Sequence, residues 1–214
     1  MSGKRNTWTY GIIIIVLIIS SSIFAAYNIQ KRNTRHKALP VFGPKAEDGR
    51  NHKVSQFNLT NQYGETVTNE TFDGKIYVTD FFFTTCQTIC PKMSNNLNIV
   101  YKAFAKDDDV RILSHTVDPE TDSVATLKTY ADELGVTDKR WLFVTGDKKQ
   151  IYSLARKSYF AATDDGDGGV DDFVHTQNLI LIDRDFEIRG YYDGTNPAEI
   201  TKLITDIRKL KTEH

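Results

Sequence analysis

The chain has two cysteines, Cys86 and Cys90, in the stretch FFFTTCQTICPKM (81–93). Three residues separate them, so on a helix that begins near Cys86 both sulfurs would point to one side. A helix N-terminus favours a thiolate through its unpaired N–H groups and its dipole. Three chemistries fit such a pair. A structural disulfide across so short a loop is worth only about 2 kcal/mol in the chain-entropy model and joins no separate elements. Thiol–disulfide exchange is the second, although its usual spacing is Cys-x-x-Cys and one more residue intervenes here. A metal site is the third. Two thiolates are too few for a closed zinc site, which takes four protein ligands. They are a beginning for copper, because sulfur suits Cu(I) and an added imidazole accommodates Cu(II). A thiol peroxidase would need an activating Arg or Thr around Cys86, and Thr84 and Thr85 are the nearest in sequence.

A third copper ligand would come from the five histidines. His36 and His52 fall in a polar stretch, His214 is terminal, and His115 lies in the apolar run RILSHTV (111–117), where a packed side chain is expected. His175 follows the acidic, glycine-rich TDDGDGGVDDFV (163–174) and immediately precedes NLILID (178–183). A lone histidine at such a place is more often structural, but two cysteines in want of a partner raise its standing. The acidic stretch itself fails the EF-hand pattern, which needs oxygen ligands at alternating positions, Gly at six and Glu at twelve. It reads as a solvated loop.

The elements that must position these residues are legible from periodicity. FNLTNQYGETVT (57–68) reads as a hairpin turning at Tyr63-Gly64, and KIYVTDFFF (75–83) as a central strand. Over 86–106, Ile89, Met93, Leu97, Val100 and Phe104 share one helical stripe. VRILSHTV (110–117) and WLFVTG (141–146) read as strands, and 123–135 and 147–160 as helices. NLILID and EIRGYYDG (187–194) form a hairpin across Arg184-Asp185, and a helix over 197–211 opens on Pro197. This order predicts an α/β fold, a thioredoxin-like mixed sheet flanked by helices. Sites in open α/β sheets lie beyond the carboxyl ends of the strands, which is where Cys86 and Cys90 fall.

The chain begins differently. No charged residue occurs from Asn6 to Gln30, and GIIIIVLIISSSIFAAY (11–27) is apolar throughout its centre. Residues 1–10 read as a short cytoplasmic N-terminus, 11–27 as a transmembrane anchor, 28–55 as a linker and 56–211 as the folded domain. A signal peptide cut near Ala25 and Ala26 is the rival, but the apolar run is longer than a usual signal core. Lys31, Arg32, Arg35 and Lys37 outnumber Lys4 and Arg5, so the positive-inside rule alone would turn the domain toward the cytoplasm. The net charge of −1 over 214 residues offers no electrostatic case for nucleic acid.

Four stretches, FFFTTCQTICPKM, LSHTVDPETDSVATLKTYA (113–131), WLFVTGD (141–147) and VHTQNLILID (174–183), occur in the order found in Sco-type (SenC) proteins, and the chain resembles that family over about residues 56–211. The resemblance implies a copper chaperone for cytochrome c oxidase assembly, with copper bound by Cys86, Cys90 and His175 and with the cysteines redox-active. It also implies a cell membrane location, single-pass, with the domain on the extracytoplasmic side. The implied partner is the copper-bearing oxidase subunit or another copper protein. A thiol–disulfide reductase acting on a partner's cysteines is the alternative on the same sulfurs. Two departures from the family pattern are Gln87, where Pro is common, and Val174, where Asp is common. Asp171 or Asp172 could still orient His175.

Overall fold

A computed structural model describes residues 4–36, 38–162, 166, 169 and 172–213. The chain forms two compact units, Met1–Ala38 and Leu39–His214. The first contains helix α1 (Lys4–His36). Its side chains from Ile12 to Phe24 are largely exposed aliphatics. Among the described residues no helix is long and apolar enough to cross a membrane. The spanning anchor expected from the sequence is therefore not shown by the structure.

The second unit is a sheet of seven strands in the order β2-β1-β5-β4-β3-β6-β7. The strands are β1 (Asn58–Asn61), β2 (Thr66–Thr68), β3 (Ile76–Phe82), β4 (Val110–Thr116), β5 (Trp141–Thr145), β6 (Asn178–Ile182) and β7 (Ile188–Asp193). β3, β4 and β5 are parallel, joined by crossover helices α2 (Cys90–Ala103) and α3 (Val124–Glu133). α4 (Lys148–Ser153) runs into a π-helical turn over Leu154–Ser158. α5 (Pro197–Leu210) closes the chain.

Every residue of β3 is buried, as a central strand covered on both faces requires. Ile76, Val78 and Phe82 enter one core with α2, α3 and α5, while Tyr77 and Phe81 enter the other with α4. On α2 the buried stripe is Cys90, Met93, Leu97, Val100 and Tyr101. Ile89, expected in that stripe, is 44% exposed. The helix begins at Cys90 rather than near Cys86, so Ile89 is the residue before the first turn and Cys90 takes the inward place.

The parallel register of β3 on β4 runs from Ile76↔Val110 to Phe82↔Thr116, so both strands end at one edge of the sheet. β6 is antiparallel to β3, with Thr79 opposite Ile180. The chain must therefore enter β6 at the edge where β3 leaves. This topology delivers the cysteine loop and the residues just before β6 to the same end of the sheet.

Residues 39–55, read from the sequence as part of a linker, pack on the domain. Phe42 pairs with Ile188, and Val54 is buried. Arg189, on β7, fixes this segment. Its guanidinium donates to Asp183 at 2.7 Å, to Glu213 at 2.7 Å and to the carbonyls of Leu39 and Pro40. Arg189 is 7% exposed and Asp183 2%. Replacing Arg189 by Ala strands the Asp183 carboxylate, and the expected cost is roughly 3–5 kcal/mol, the range for breaking a buried ion pair. Urea denaturation of the Arg189→Ala chain measures it, and a loss below about 1 kcal/mol would show the network to be dispensable.

Candidate metal centre

β3 ends at Phe82, and the chain turns through Thr84 and Thr85 to Cys86, whose N–H donates to the Phe83 carbonyl at 3.3 Å. Thr84 is held from below. Its amide donates to Asp122 at 3.1 Å and its hydroxyl to the other carboxylate oxygen, while Thr116, the last residue of β4, donates to Asp122 at 2.5 Å. Asp122 is fully buried. It sits in the VDPETD stretch (117–122), directly before Ser123, the N-cap of α3.

The start of α2 has no side-chain cap on Ile89, and Pro91 lies in its first turn. The sulfur of Cys86 serves instead. It accepts the Cys90 N–H at 3.4 Å, with the Thr88 hydroxyl 3.9 Å away. A cap oxygen usually satisfies such an unpaired N–H, and the group taking its place here is one that gains most from being negative. Both cysteines are free, Cys86 half-buried and Cys90 buried.

Their electrostatics diverge. Burial alone would raise the Cys86 thiol, but hydrogen bonds from the Cys90 thiol, the Cys90 N–H and the backbone at Thr88 and Ile89 outweigh it and bring it down to about 7. Burial pushes the Cys90 thiol up to about 12, helped by its hydrogen bond to Cys86 and by the nearby charge of Asp80. The asymmetry makes Cys86 the readier thiolate of the two and keeps the proton on Cys90.

Two groups beneath the pair escape the reading of the sequence. Asp80, on β3, accepts the Ser114 hydroxyl at 2.5 Å, and Ser114 in turn accepts from the Trp141 indole at 2.9 Å. Burial lifts the Asp80 carboxyl to about 7 against the lowering effect of Ser114. Tyr130, on α3, shares a hydrogen bond of 2.8 Å with Ser94 of α2, and burial raises its phenol to about 12, with Asp80, Cys90 and Cys86 adding to the shift. An acidic residue inside an otherwise apolar strand, IYVTDFF, is the available signal for Asp80. Nothing in the helix pattern marks Tyr130 apart from any core aromatic.

The structure brings Cys86 and Cys90 together without His175. Among the described residues no group of three or more His, Cys, Asp or Glu side chains is placed to hold a metal ion. His175 is exposed, and its ring lies 4.9 Å from that of Phe173. Phe173 in turn packs edge-on against Phe83 at 4.9 Å, three residues before Cys86. His175 thus stands two aromatic rings from the sulfur loop, at the same end of the sheet. His115 is wholly buried and stacks on Phe81, as expected of a packed side chain. Burial lowers its imidazole to about 3, so it stays neutral. Asp171 and His214 lie outside the described residues. Asp172 faces Arg156, which binds it through two hydrogen bonds of 2.6 Å.

A family model for SCO1/SenC matches residues 45–212. The chain belongs to the SCO1/SenC family. It is 32% identical to the SCO1 protein homolog of Bacillus subtilis over 172 residues, which is 79% of this chain and 89% of that protein. Its fold is similar to that of BsSco, a member of the Sco family of cytochrome c oxidase assembly proteins in which a disulfide switch is identified. The TM-score is 0.65 at 32% identity, covering 80% of this chain and all of the other. A structure of ScoI from Bradyrhizobium japonicum with copper bound matches with TM-score 0.56 and 29% identity, over 72% of this chain and 98% of that one. The thioredoxin-like Sco fold expected from the sequence is thus the fold observed.

Two measurements probe the site without a metal. Alkylation by iodoacetamide should reach half its limiting rate at Cys86 near pH 7, against about 8.5 for an unperturbed thiol, because the thiolate is the reacting form. Cys90 should stay unlabelled, and in Cys90→Ala the Cys86 midpoint should move up, having lost a donor. A midpoint near 8.5 in the native chain would refute the asymmetry. Asp80 holds its proton in the folded state up to about pH 7 but ionises near 4 when unfolded, so the folded chain binds more protons in between. Stability relative to Asp80→Asn should fall as pH rises from about 4 to 7 and then level off. A pH-independent difference in denaturation midpoint would contradict the raised carboxyl.

Proposed function

We propose that this protein is a copper carrier that delivers copper to the binuclear copper centre of cytochrome c oxidase during assembly. Cys86 and Cys90 hold one copper ion, and His175 completes the site. The observation that carries this reading is the pair of free sulfurs at the head of α2, one polarised as a thiolate, in a chain of the SCO1/SenC family. The donor set suits the cargo. Two soft sulfurs are sufficient for Cu(I), and an imidazole is what Cu(II) adds. The copper-bound ScoI structure supports the same chemistry.

Thiol–disulfide exchange with a disulfide on a partner protein would pass two electrons from the two sulfurs to that disulfide, leaving a Cys86–Cys90 disulfide here and two thiols on the partner, and the ion would lose both sulfur ligands. The disulfide switch identified in BsSco supports this step. We further propose that α1 holds the domain at the cell membrane on the extracytoplasmic side. A helix of 33 residues, Lys4–His36, rises about 50 Å, and its described side chains from Ile12 to Ile19 are exposed and aliphatic. The basic residues after the apolar run would then meet anionic lipid.

The asymmetry of the sulfurs also favours a second reading, a thiol–disulfide reductase. A half-buried thiolate beside a buried protonated thiol is the arrangement of an attacking and a resolving cysteine. The two readings separate on His175, which the reductase does not need.

The test is anaerobic loading of the reduced chain with Cu(I), followed by competition with a strong Cu(I) chelator. One retained ion per chain, lost in Cys86→Ser and in Cys90→Ser, supports the carrier. His175→Ala should leave Cu(I) retention nearly intact and weaken Cu(II) by at least tenfold. Copper stripped at modest chelator, with the pair cycling readily to a disulfide, would make the reductase the function.

A further inference from the structure

His175 lies between the π-helical turn and β6, and residues near both ends of that segment are tied to one atom. The Ala161 carbonyl accepts the Thr176 hydroxyl at 2.8 Å and the Asn178 amide at 3.1 Å. Ala161 is itself set by its N–H, which donates to Ala155 at 2.7 Å across the π-helical turn, and by Phe160, held at φ 49. A non-glycine residue in that region persists only where its surroundings over-determine it.

Between those ends, α4 holds the loop through two cations. Lys148 donates to the Gly169 carbonyl at 2.8 Å. Arg156, in the π-helical turn, grips Asp172 through both nitrogens of its fork, each 2.6 Å from a carboxylate oxygen, with side chains 9% and 10% exposed. Both cations lie over the ring of Tyr152, at 5.3 and 5.5 Å, and the Tyr152 hydroxyl donates to Val117, just past β4, at 2.8 Å. Tyr152 thus fixes the two cations relative to the sheet.

From Asp172 the side chains point to successive supports. Asp172 goes to Arg156, Phe173 to Phe83, and Val174 into the core; His175 is left exposed. With Asp172 and Val174 both held, the backbone on the N-terminal side of His175 is fixed, and the exposed imidazole lies against Phe173 at 4.9 Å. The bidentate geometry matters, since an Arg–carboxylate fork sets orientation as well as distance.

We propose that Arg156, through Asp172, is the positioning residue for His175 and thereby sets the protein's affinity for Cu(II) without affecting its affinity for Cu(I). The proposal rests on the reading of His175 as a copper ligand. It assigns Asp172 the role of holding the backbone ahead of His175 through the guanidinium. Cu(I), satisfied by the two sulfurs, has no need of the clamp.

The experiment uses the full-length chain with Arg156→Gln, Arg156→Lys, His175→Ala and the double variant Arg156→Gln/His175→Ala. Cu(I) affinity is read by chelator competition. Cu(II) affinity is read by titration of the sulfur-to-copper charge-transfer band, and imidazole ligation by nitrogen hyperfine structure in the electron paramagnetic resonance spectrum. Arg156→Gln should weaken Cu(II) about 10- to 100-fold, the usual effect of losing a residue that orients a ligand. It should also diminish the nitrogen hyperfine pattern and leave Cu(I) within about twofold. Arg156→Lys, which keeps the charge without the fork, should fall between Arg156→Gln and the native chain. The double variant should bind Cu(II) no more weakly than His175→Ala alone, because both remove the same interaction.

Unchanged Cu(II) affinity in Arg156→Gln, with His175→Ala still weak, would overturn the clamp and leave the ligand reading intact. Equal losses of Cu(I) and Cu(II) in both Arg156 variants would also overturn it, showing general damage to the domain. If His175→Ala itself left Cu(II) unaffected, the ligand reading would fail first and take the proposal with it.

Discussion

The placement of the two sulfurs depends on a carboxylate that touches neither of them. Asp122 is fully buried and accepts the amide and hydroxyl of Thr84 and the hydroxyl of Thr116. A buried charge is tolerated only when donors surround it, so these three groups and the carboxylate hold one another in place. Thr84 follows β3, Thr116 ends β4, and Asp122 itself precedes the cap of α3. One side chain therefore joins two parallel strands and a helix at the edge of the sheet. The chain beyond Thr84 has no freedom to extend, and it turns so that Cys86 closes the head of α2 in place of the missing cap.

That closure explains why two like residues, four apart, differ so much. Cys86 lies outside the helix and receives donors, while Cys90 is inside the first turn with its thiol in the core. The Cys90 N–H and thiol both point charge stabilisation at Cys86, and burial with Asp80 nearby denies it to Cys90. Had the helix begun at Cys86, as the spacing alone suggests, both sulfurs would have shared the dipole. The short loop from Gln87 to Ile89 sets Cys86 against the donor end of the helix and leaves Cys90 embedded in its first turn.

The elements are largely legible in the sequence because period-2 and helical stripes map onto burial that the sheet enforces on both faces, as in β3 and α2. Residues 39–55 read wrongly as a linker because Pro40, Gly43, Pro44 and Gly49 mark irregular backbone, which the sequence does not distinguish from mobile backbone. What holds 39–55 down is Arg189 at its start and Ser158, Phe186, Glu187 and Ile188 along the rest, all distant in sequence, and no local pattern carries such contacts. The cysteines are legible from spacing and residue type. His175 stands out by its place before β6, and the antiparallel pairing of β6 with β3 gives that place physical content. Asp122 lies within a family motif but shows no role there, since its partners are two threonines on other elements. Arg156 lies within a helix of ordinary pattern, and its pairing with Asp172 exists only because the π-helical turn and the loop meet in space.

On the proposed reading of the two sulfurs as copper ligands, their protonation bears on both uptake and release. Copper taken by both sulfurs must displace the proton that Cys90 keeps at neutral pH, so binding releases a proton and is weaker than two ready thiolates would make it. Cys86, the readier thiolate, would offer the first point of attachment. Under that reading the same order would serve release, because a proton returning to Cys90 would reclaim the inner sulfur first. The two sulfurs ride on elements fixed by Asp122 and the core, and the imidazole rides on a loop fixed from α4. A copper site divided in this way, as proposed, would keep its sulfurs on the sheet edge and α2 and its imidazole on a separately held segment.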